Sequence, residues 1–235
     1  MRILLTNDDG FEAEGLQCLY EVLSKRADCF VVAPDQGRSC CGHAVTTSSQ
    51  LDIVRRNENS WAISGTPADC VRVGLLWLQL KPDLVISGVN HGGNLGVDII
   101  YSGTVAAARE AYLLGVPSIA ISQYMRRDVE RDWKVNAMRA VHVIDQVLQW
   151  NDPTVGFWSV NLPALPVSDL GFTFPIIRCE PERQSLFYTF DGNSAQNEDT
   201  HSVMYKSNYQ LRPREVGSDV DLCFGGHATV SRLGV

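Results

Sequence analysis

Met1-Arg-Ile-Leu-Leu-Thr-Asn-Asp-Asp-Gly10 decides how the rest of the chain is read. Ile3 to Thr6 is a short apolar run of the kind a buried strand makes. Polarity then reverses at once in Asn7, Asp8, Asp9 and Gly10. Neighbouring side chains on a strand point to opposite faces. A turn, which Gly10 permits, lets both carboxylates face one point. Adjacent carboxylates repel unless a cation lies between them, so Asp8 and Asp9 are candidate ligands for a hard divalent metal. The plain alternative is a solvated turn with a helix N-cap.

Leu16, Leu19, Tyr20 and Leu23 follow at i, i+3, i+4 and i+7, predicting an amphipathic helix over about 13–25. Cys29 to Ala33 reads as a second buried strand, ended by Pro34. Strand, helix and strand with short links predict a parallel sheet and an α/β fold. Ligands of such sheets bind outside the carboxyl ends of the strands. Asp35-Gln-Gly-Arg-Ser-Cys-Cys-Gly-His43 therefore belongs at the same edge as Asp8 and Asp9. There Arg38 could bind a phosphate and the Ser39 hydroxyl a metal or an anion. An ordinary surface loop is the alternative.

Residues 44–54 and 60–64 alternate as a hairpin would. Thr66-Pro67-Ala68-Asp69 is a helix start, with Thr66 at the N-cap, Pro67 at N1 and Asp69 at N3. Asp83 to Ser87 predicts a strand that runs into Ser87-Gly-Val-Asn-His-Gly-Gly-Asn-Leu-Gly96. Its glycines let the backbone approach a ligand closely. The stretch is neither a Walker A loop nor GxGxxG, which weakens a Rossmann oxidoreductase reading. A helix beginning at Ser102–Thr104 would turn free amides and two hydroxyls toward an anion; a simple N-cap is the alternative. Val116 to Ser122 and Gly156 to Val160 predict further strands. Between them Trp133 to Trp150 forms a long helix with apolar positions 137, 138, 141, 144 and 148, and with His142 in a structural place.

Beyond about residue 165 the alternation stops. Phe172 to Arg178, Leu186 to Phe190 and Ala228 to Leu233 look like strands, with the polar, helix-poor stretch Asp191 to Ser207 between them. The expected division is a core of 1–165 and an extension of 166–235, the latter a hairpin arm or oligomer contact.

The 235 residues carry a net charge of −7, which argues against a general binder of nucleic-acid polymers and leaves room for a small anionic substrate. Seven cysteines without a CxxC pair suggest neither disulfides nor zinc. Free thiols fit a cytoplasmic setting. The chain opens directly on a strand, so no signal peptide is expected. No apolar run approaches the ~20 residues of a membrane span.

Five motifs in order resemble the SurE family, the survival-protein nucleotidases: the opening decapeptide; Val32-Ala-Pro-Asp35 with Arg38-Ser39; Gly65-Thr-Pro-Ala-Asp-Cys-Val71; Ser87 to Gly96; and Tyr101-Ser-Gly-Thr-Val-Ala-Ala-Ala108. The resemblance implies a Rossmann-like three-layer αβα core with a mainly parallel sheet, and a C-terminal β-rich extension used in forming a homodimer or homotetramer. It implies a metal-dependent phosphatase of nucleoside 5′- and 3′-monophosphates, in some members of short polyphosphate. It assigns the metal ligands to Asp8, Asp9, Ser39 and Asn90. Oxygen ligands suit one Mg²⁺ or Mn²⁺ per subunit. Asp8, Asp9 and Asn90 would then be catalytic, and Asn94, Ser102, Gly103 and Thr104 would donate to the phosphate oxygens. The competing class is a non-catalytic nucleotide-binding or regulatory protein using the same site. Two departures stand out. The family usually has glycine where Cys40 follows Ser39, and the C-terminal sequence, His227 to Leu233, differs from its usual ending.

Overall fold

The computed structural model describes residues 1–150, 152, 156–167, 174–197 and 200–234. Its frame is a nine-stranded sheet. The strands are β1 (Arg2–Thr6), β2 (Asp28–Pro34), β3 (Ile53–Asn57), β4 (Ser60–Ile63), β5 (Leu84–His91), β6 (Ser118–Gln123), β7 (Phe157–Leu162), β8 (Ile176–Arg178) and, last in the chain, β11 (Ala228–Leu233). Their spatial order is β3-β4-β2-β1-β5-β6-β7-β11-β8. Pairing is parallel except β3 with β4 and β7 with β11. The α/β reading of the opening residues holds, with β1 between β2 and β5.

Alternation within β1 explains the layers. Ile3 and Leu5 point into one apolar cluster with Leu16 and Leu19 of α1 (Glu14–Leu23) and Ala140 and Ile144 of a long helix, Trp133–Gln149. Leu4 points to the other face, where it meets Val71 of α2 (Pro67–Arg72) and Ala107 of a second long helix, Gly103–Leu113. Between these lies the short α3 (Asp98–Tyr101), so the helix at 103 is α4 and that at 133 is α5. A buried strand flanked by helices on both faces has no polar face, which is why Ile3 to Leu5 are all apolar.

Several predicted elements shift. Residues 44–52 form no strand, because this segment is captured by the start of α2. Thr46 donates through N–H and hydroxyl to Asp69 at 2.9 and 2.7 Å, and the Thr66 hydroxyl donates to Ala44 O at 2.7 Å. Thr66 and Asp69 also cap each other reciprocally, as the spacing predicts. On α5, Met138 and Leu148 face outward and Val135, Val143 and Val147 take the inner positions. The short α6 (Asp219–Phe224) was not anticipated.

Residues 191–197 and 200–207 of the polar stretch are strand, as a hairpin arm requires. β9 (Tyr188–Asn197) and β10 (Thr200–Ser207) pair antiparallel as a separate two-stranded sheet, with Tyr205 opposite Phe190. Residues 172 and 173 of the predicted strand lie outside the described residues; its remainder contains β8. Through β8 and β11 the chain returns to the main sheet. No helix among the described residues is long and apolar enough to cross a membrane.

Candidate active site

At the carboxyl end of β1 the chain turns on itself. Asn7 Nδ2 donates to Gly10 O at 2.8 Å and Gly10 N–H donates back to Asn7 Oδ1 at 3.3 Å. Gly10 has φ 105°, and a Cβ there would lie 3.1 Å from the Gln36 carbonyl carbon. Glycine is therefore required twice, by conformation and by the close approach of the loop after β2. Arg38 N–H donates to Asp8 O at 2.7 Å, holding that loop against the turn and bringing the exposed Ser39 to the same edge.

Asp8 is 6% exposed. Its Oδ1 accepts the Thr104 hydroxyl at 2.5 Å, and the Thr104 N–H also donates to the carboxylate. Gly103 packs directly on it: a Cβ at Gly103 would lie 2.9 Å from both Asp8 Cβ and Cys41 Sγ. The start of α4 thus rests on the carboxylate. Asp9 Oδ2 accepts at 2.9 Å from the N–H of His91, the residue that follows Asn90 on β5. Asn90 Nδ2 donates to Gly92 O at 2.8 Å.

Burial pushes the Asp8 carboxyl up to about 6, with the Asp9 charge adding to the rise and the Thr104 hydrogen bonds opposing it. Burial also raises Asp9, against the His91 N–H. No arginine or lysine forms an ion pair with either carboxylate among the described residues. Arg38 instead reaches Asp35 Oδ1 at 3.3 Å and Ser64 O at 3.2 Å. Two neighbouring carboxylates, one buried and one half-buried, with no arginine or lysine paired to them among the described residues and only the His91 ring opposing the Asp9 charge, are an environment a cation relieves. No group of three or more His, Cys, Asp or Glu side chains suited to a metal occurs among the described residues. A cation here would take its further oxygens from residues such as Ser39 and Asn90, a donor set that fits Mg²⁺ or Mn²⁺.

The remaining predicted residues are placed as follows. The Ser102 hydroxyl accepts from Val105 N–H at 3.0 Å and caps α4. Asn94 belongs to a buried network: its N–H donates to Asn161 Oδ1 at 2.8 Å, its Nδ2 to Ser122 Oγ at 2.7 Å, and Asn161 Nδ2 returns a bond to Asn94 O at 3.1 Å. Asn161, which sequence reasoning gave no role, thereby fastens the glycine-rich loop to the ends of β6 and β7. Its signal was a polar residue ending an apolar strand. A second missed group is Glu110, buried on α4, which meets His43 Nε2 at 2.7 Å and Arg72 Nε at 2.6 Å. With Gly42 N–H donating to Tyr101 O at 3.0 Å, the loop from 36 to 46 is tied down on every side. Cys40 within it has φ 57°, a left-handed conformation glycine adopts without cost.

A family model described as survival protein SurE matches residues 3–180. The chain belongs to the SurE family. A relative from Synechocystis sp. is 40% identical over 237 residues, covering 100% of both chains. The 5′-nucleotidase SurE of Geotalea uraniireducens is 38% identical, covering 99% of this chain and 92% of its own. Among solved structures, the SurE protein of Aquifex aeolicus superposes with a TM-score of 0.86 at 31% identity, over 100% of this chain and 93% of that one. The nine-stranded sheet and flanking helices are thus a SurE fold.

Proposed function

We propose that this chain is a metal-dependent phosphomonoesterase that hydrolyses nucleoside 5′-monophosphates, and 3′-monophosphates and short polyphosphate by the same chemistry. The observation that carries the reading is the adjacent pair Asp8 and Asp9, both raised by burial and neither paired with an arginine or lysine among the described residues, at the sheet edge where the start of α4 also lies. Relatives named 5′-nucleotidase support the substrate class.

Asp8, Asp9, Ser39 and Asn90 would hold one divalent ion, Mg²⁺ or Mn²⁺, with Asn90 Oδ1 the atom left for it once Nδ2 is committed to Gly92. Such an ion supplies charge against the phosphoryl oxygens and acidifies a bound water. The chain's own residues do the rest. The Gly103 N–H and the positive end of α4 attract the phosphate. The Thr104 hydroxyl and amide keep the Asp8 carboxylate in place. Ser102, which caps α4, fixes the direction of its first amides. Asn94, locked by Asn161 and Ser122, holds the glycine-rich loop as the opposite wall. Donors aimed at charge developing on the phosphate are each worth about 3 kcal/mol in comparable sites.

The test is phosphate release from AMP, GMP, 3′-AMP and a chromogenic phosphate ester, with EDTA, Mg²⁺ or Mn²⁺. Metal-dependent turnover of the nucleotides is expected. Tight nucleotide binding without phosphate release under any metal would establish the non-catalytic alternative.

The chain also assembles, in this reading, as a homodimer or homotetramer through its arm. Phe187, Phe190, Val203, Met204 and Tyr205 are exposed on or beside β9 and β10. An isolated two-stranded hairpin is marginal in water, and exposed apolar patches mark partner surfaces. Light scattering of the full chain should give a multimer and that of Phe190→Ser/Tyr205→Ser a smaller species. A wild-type monomer at micromolar concentration would remove the arm from this role.

A further inference from the structure

A cleft of about 1440 Å³ opens at the end of β5 and beyond it, reaching the Asp8–Asp9 turn through His91. His91, Gly92 and Gly93 line part of it, and the His91 amide is the one bonded to Asp9. Such a volume exceeds the roughly 300–1,000 Å³ of most small-ligand pockets. It is more room than the phosphate and sugar of one nucleotide need.

Its charge is opposite to that of the whole protein. Four arginines, 126, 127, 131 and 214, line it against one carboxylate, Asp128, in a chain of net charge −7. Two of the four are committed locally. Arg126 makes a paired contact with Asp128 at 3.0 and 2.5 Å. Arg131 donates to His91 Nε2 at 3.0 Å and lies over the Trp133 ring. Arg127 and Arg214 have no carboxylate partner among the described residues. Arg127 is exposed on the cleft wall, and Arg214 stands over the Phe224 ring, 5.6 Å from its centre. Phe224 in turn stacks on Tyr124 at 4.4 Å. Cations concentrated in a cleft of an acidic protein attract an anionic ligand there and not elsewhere on the surface. Guanidinium groups backed by aromatic faces are also how single-stranded nucleotides are held, phosphate on the cation and base on a planar face.

We propose that this cleft receives the second nucleotide of a 5′-phosphorylated dinucleotide, with Arg127 and Arg214 binding the internucleotide phosphate while the terminal phosphate is hydrolysed at Asp8–Asp9. The proposal rests on the phosphomonoesterase reading and extends it to the substrate's length. In the reaction the oxygen of water bonds to phosphorus and the terminal P–O5′ bond breaks. One water proton passes to the departing O5′. The products are inorganic phosphate and a dinucleotide with a free 5′ hydroxyl; nothing is oxidised or reduced. Arg127 and Arg214 are specificity residues, remote from the reacting atoms.

The experiment compares pApA, AMP and tripolyphosphate as substrates of the full chain with Mn²⁺, for wild type and for Arg127→Ala/Arg214→Ala. Binding of pApA and AMP is measured separately by calorimetry in EDTA, where no turnover occurs. For wild type, kcat/KM for pApA should exceed that for AMP by about tenfold, the factor that 1.4 kcal/mol of binding energy gives. In the double variant the ratio should fall to within about twofold of unity, as should the binding preference. The wild-type preference should also shrink between 50 and 200 mM salt, as for phosphate contacts. A wild-type ratio near one, or a preference unaltered in the double variant, overturns the proposal. An arginine-dependent preference for tripolyphosphate without one for pApA overturns its nucleotide part. Absence of hydrolysis of any substrate, with tighter arginine-dependent binding of pApA, would refute the phosphomonoesterase reading and leave the cleft assignment standing.

Discussion

Replacing Asp8 by Asn should make the metal-free protein more stable and its metal-bound form less so. Burial lifts the Asp8 carboxyl from its ordinary 3.8 to about 6. A rise of about two units, at 1.36 kcal/mol each, makes the ionised carboxylate a burden of about 3 kcal/mol on the folded state at neutral pH. Asn is nearly isosteric and retains an oxygen for the Thr104 hydroxyl, and the value of about 6 already includes the Thr104 hydrogen bonds to the charged form. The expected gain is therefore about 3 kcal/mol, or about 6–12 °C in Tm for a chain of this size. The unfolded carboxyl ionises from 3.8 upward, whereas the folded one keeps its proton until about 6. Wild type therefore loses stability as pH rises through that interval, and the gap between the two proteins should close as pH is lowered to 4. Thermal melts in EDTA at pH 4, 5, 6 and 7.5 measure this directly. Saturating Mn²⁺ should raise the wild-type Tm by mass action and leave the variant nearly unmoved. Equal Tm values at pH 7.5, a gap independent of pH, or equal stabilisation of both proteins by Mn²⁺ would refute the reasoning.

Asn90→Ala should raise the Mn²⁺ concentration for half-maximal phosphatase activity by about tenfold, the effect of losing roughly 1.4 kcal/mol of metal binding; unchanged metal dependence would remove Asn90 from the ligand set. Gly103→Ala places a Cβ 2.9 Å from Asp8 Cβ and Cys41 Sγ, and overpacking of this kind costs about 1–3 kcal/mol. Turnover should drop with it, and wild-type melting and rates together would show that the helix start can yield. Glu110→Ala leaves His43 and Arg72 without their shared carboxylate, but Arg72 is 42% and His43 23% exposed and water can solvate both; a loss of about 1 kcal/mol is expected, along with faster proteolytic cleavage between 36 and 46. Denaturant melts and timed digestion check both.

What was legible in the sequence was local. The apolar run of β1, the reversal at Asp8 and Asp9, and the reciprocal cap of Thr66 and Asp69 each lie within a few residues. The family resemblance extended that reading to Ser39 and Asn90, whose chain neighbours Arg38 and His91 are bonded to Asp8 and Asp9. The pairing of Asp9 with the His91 amide, 82 residues away, has no local trace. The same holds for Asn94 with Asn161, 67 residues apart. Asp191 to Ser207 read only as a polar, helix-poor part of an expected arm, because a hairpin paired only with itself is not held to the inside–outside alternation that marks a half-buried strand. The stretch before Ile53 alternated enough to suggest a strand, yet tertiary hydrogen bonds to Asp69 drew it elsewhere. α6, with six residues, is too short to show a helical period.

The left-handed turn at Cys40 has a practical side. Of the seven cysteines it is the exposed one, and it sits next to Ser39 on a loop anchored to Asp8, Tyr101, Glu110 and Asp69. A maleimide dye should therefore attach there in preference to the other thiols, without any engineered residue. Rigid anchoring keeps such a label at a fixed distance from the two aspartates. Its emission would then report the arrival of an ion or an anion at that edge in real time, in the natural sequence.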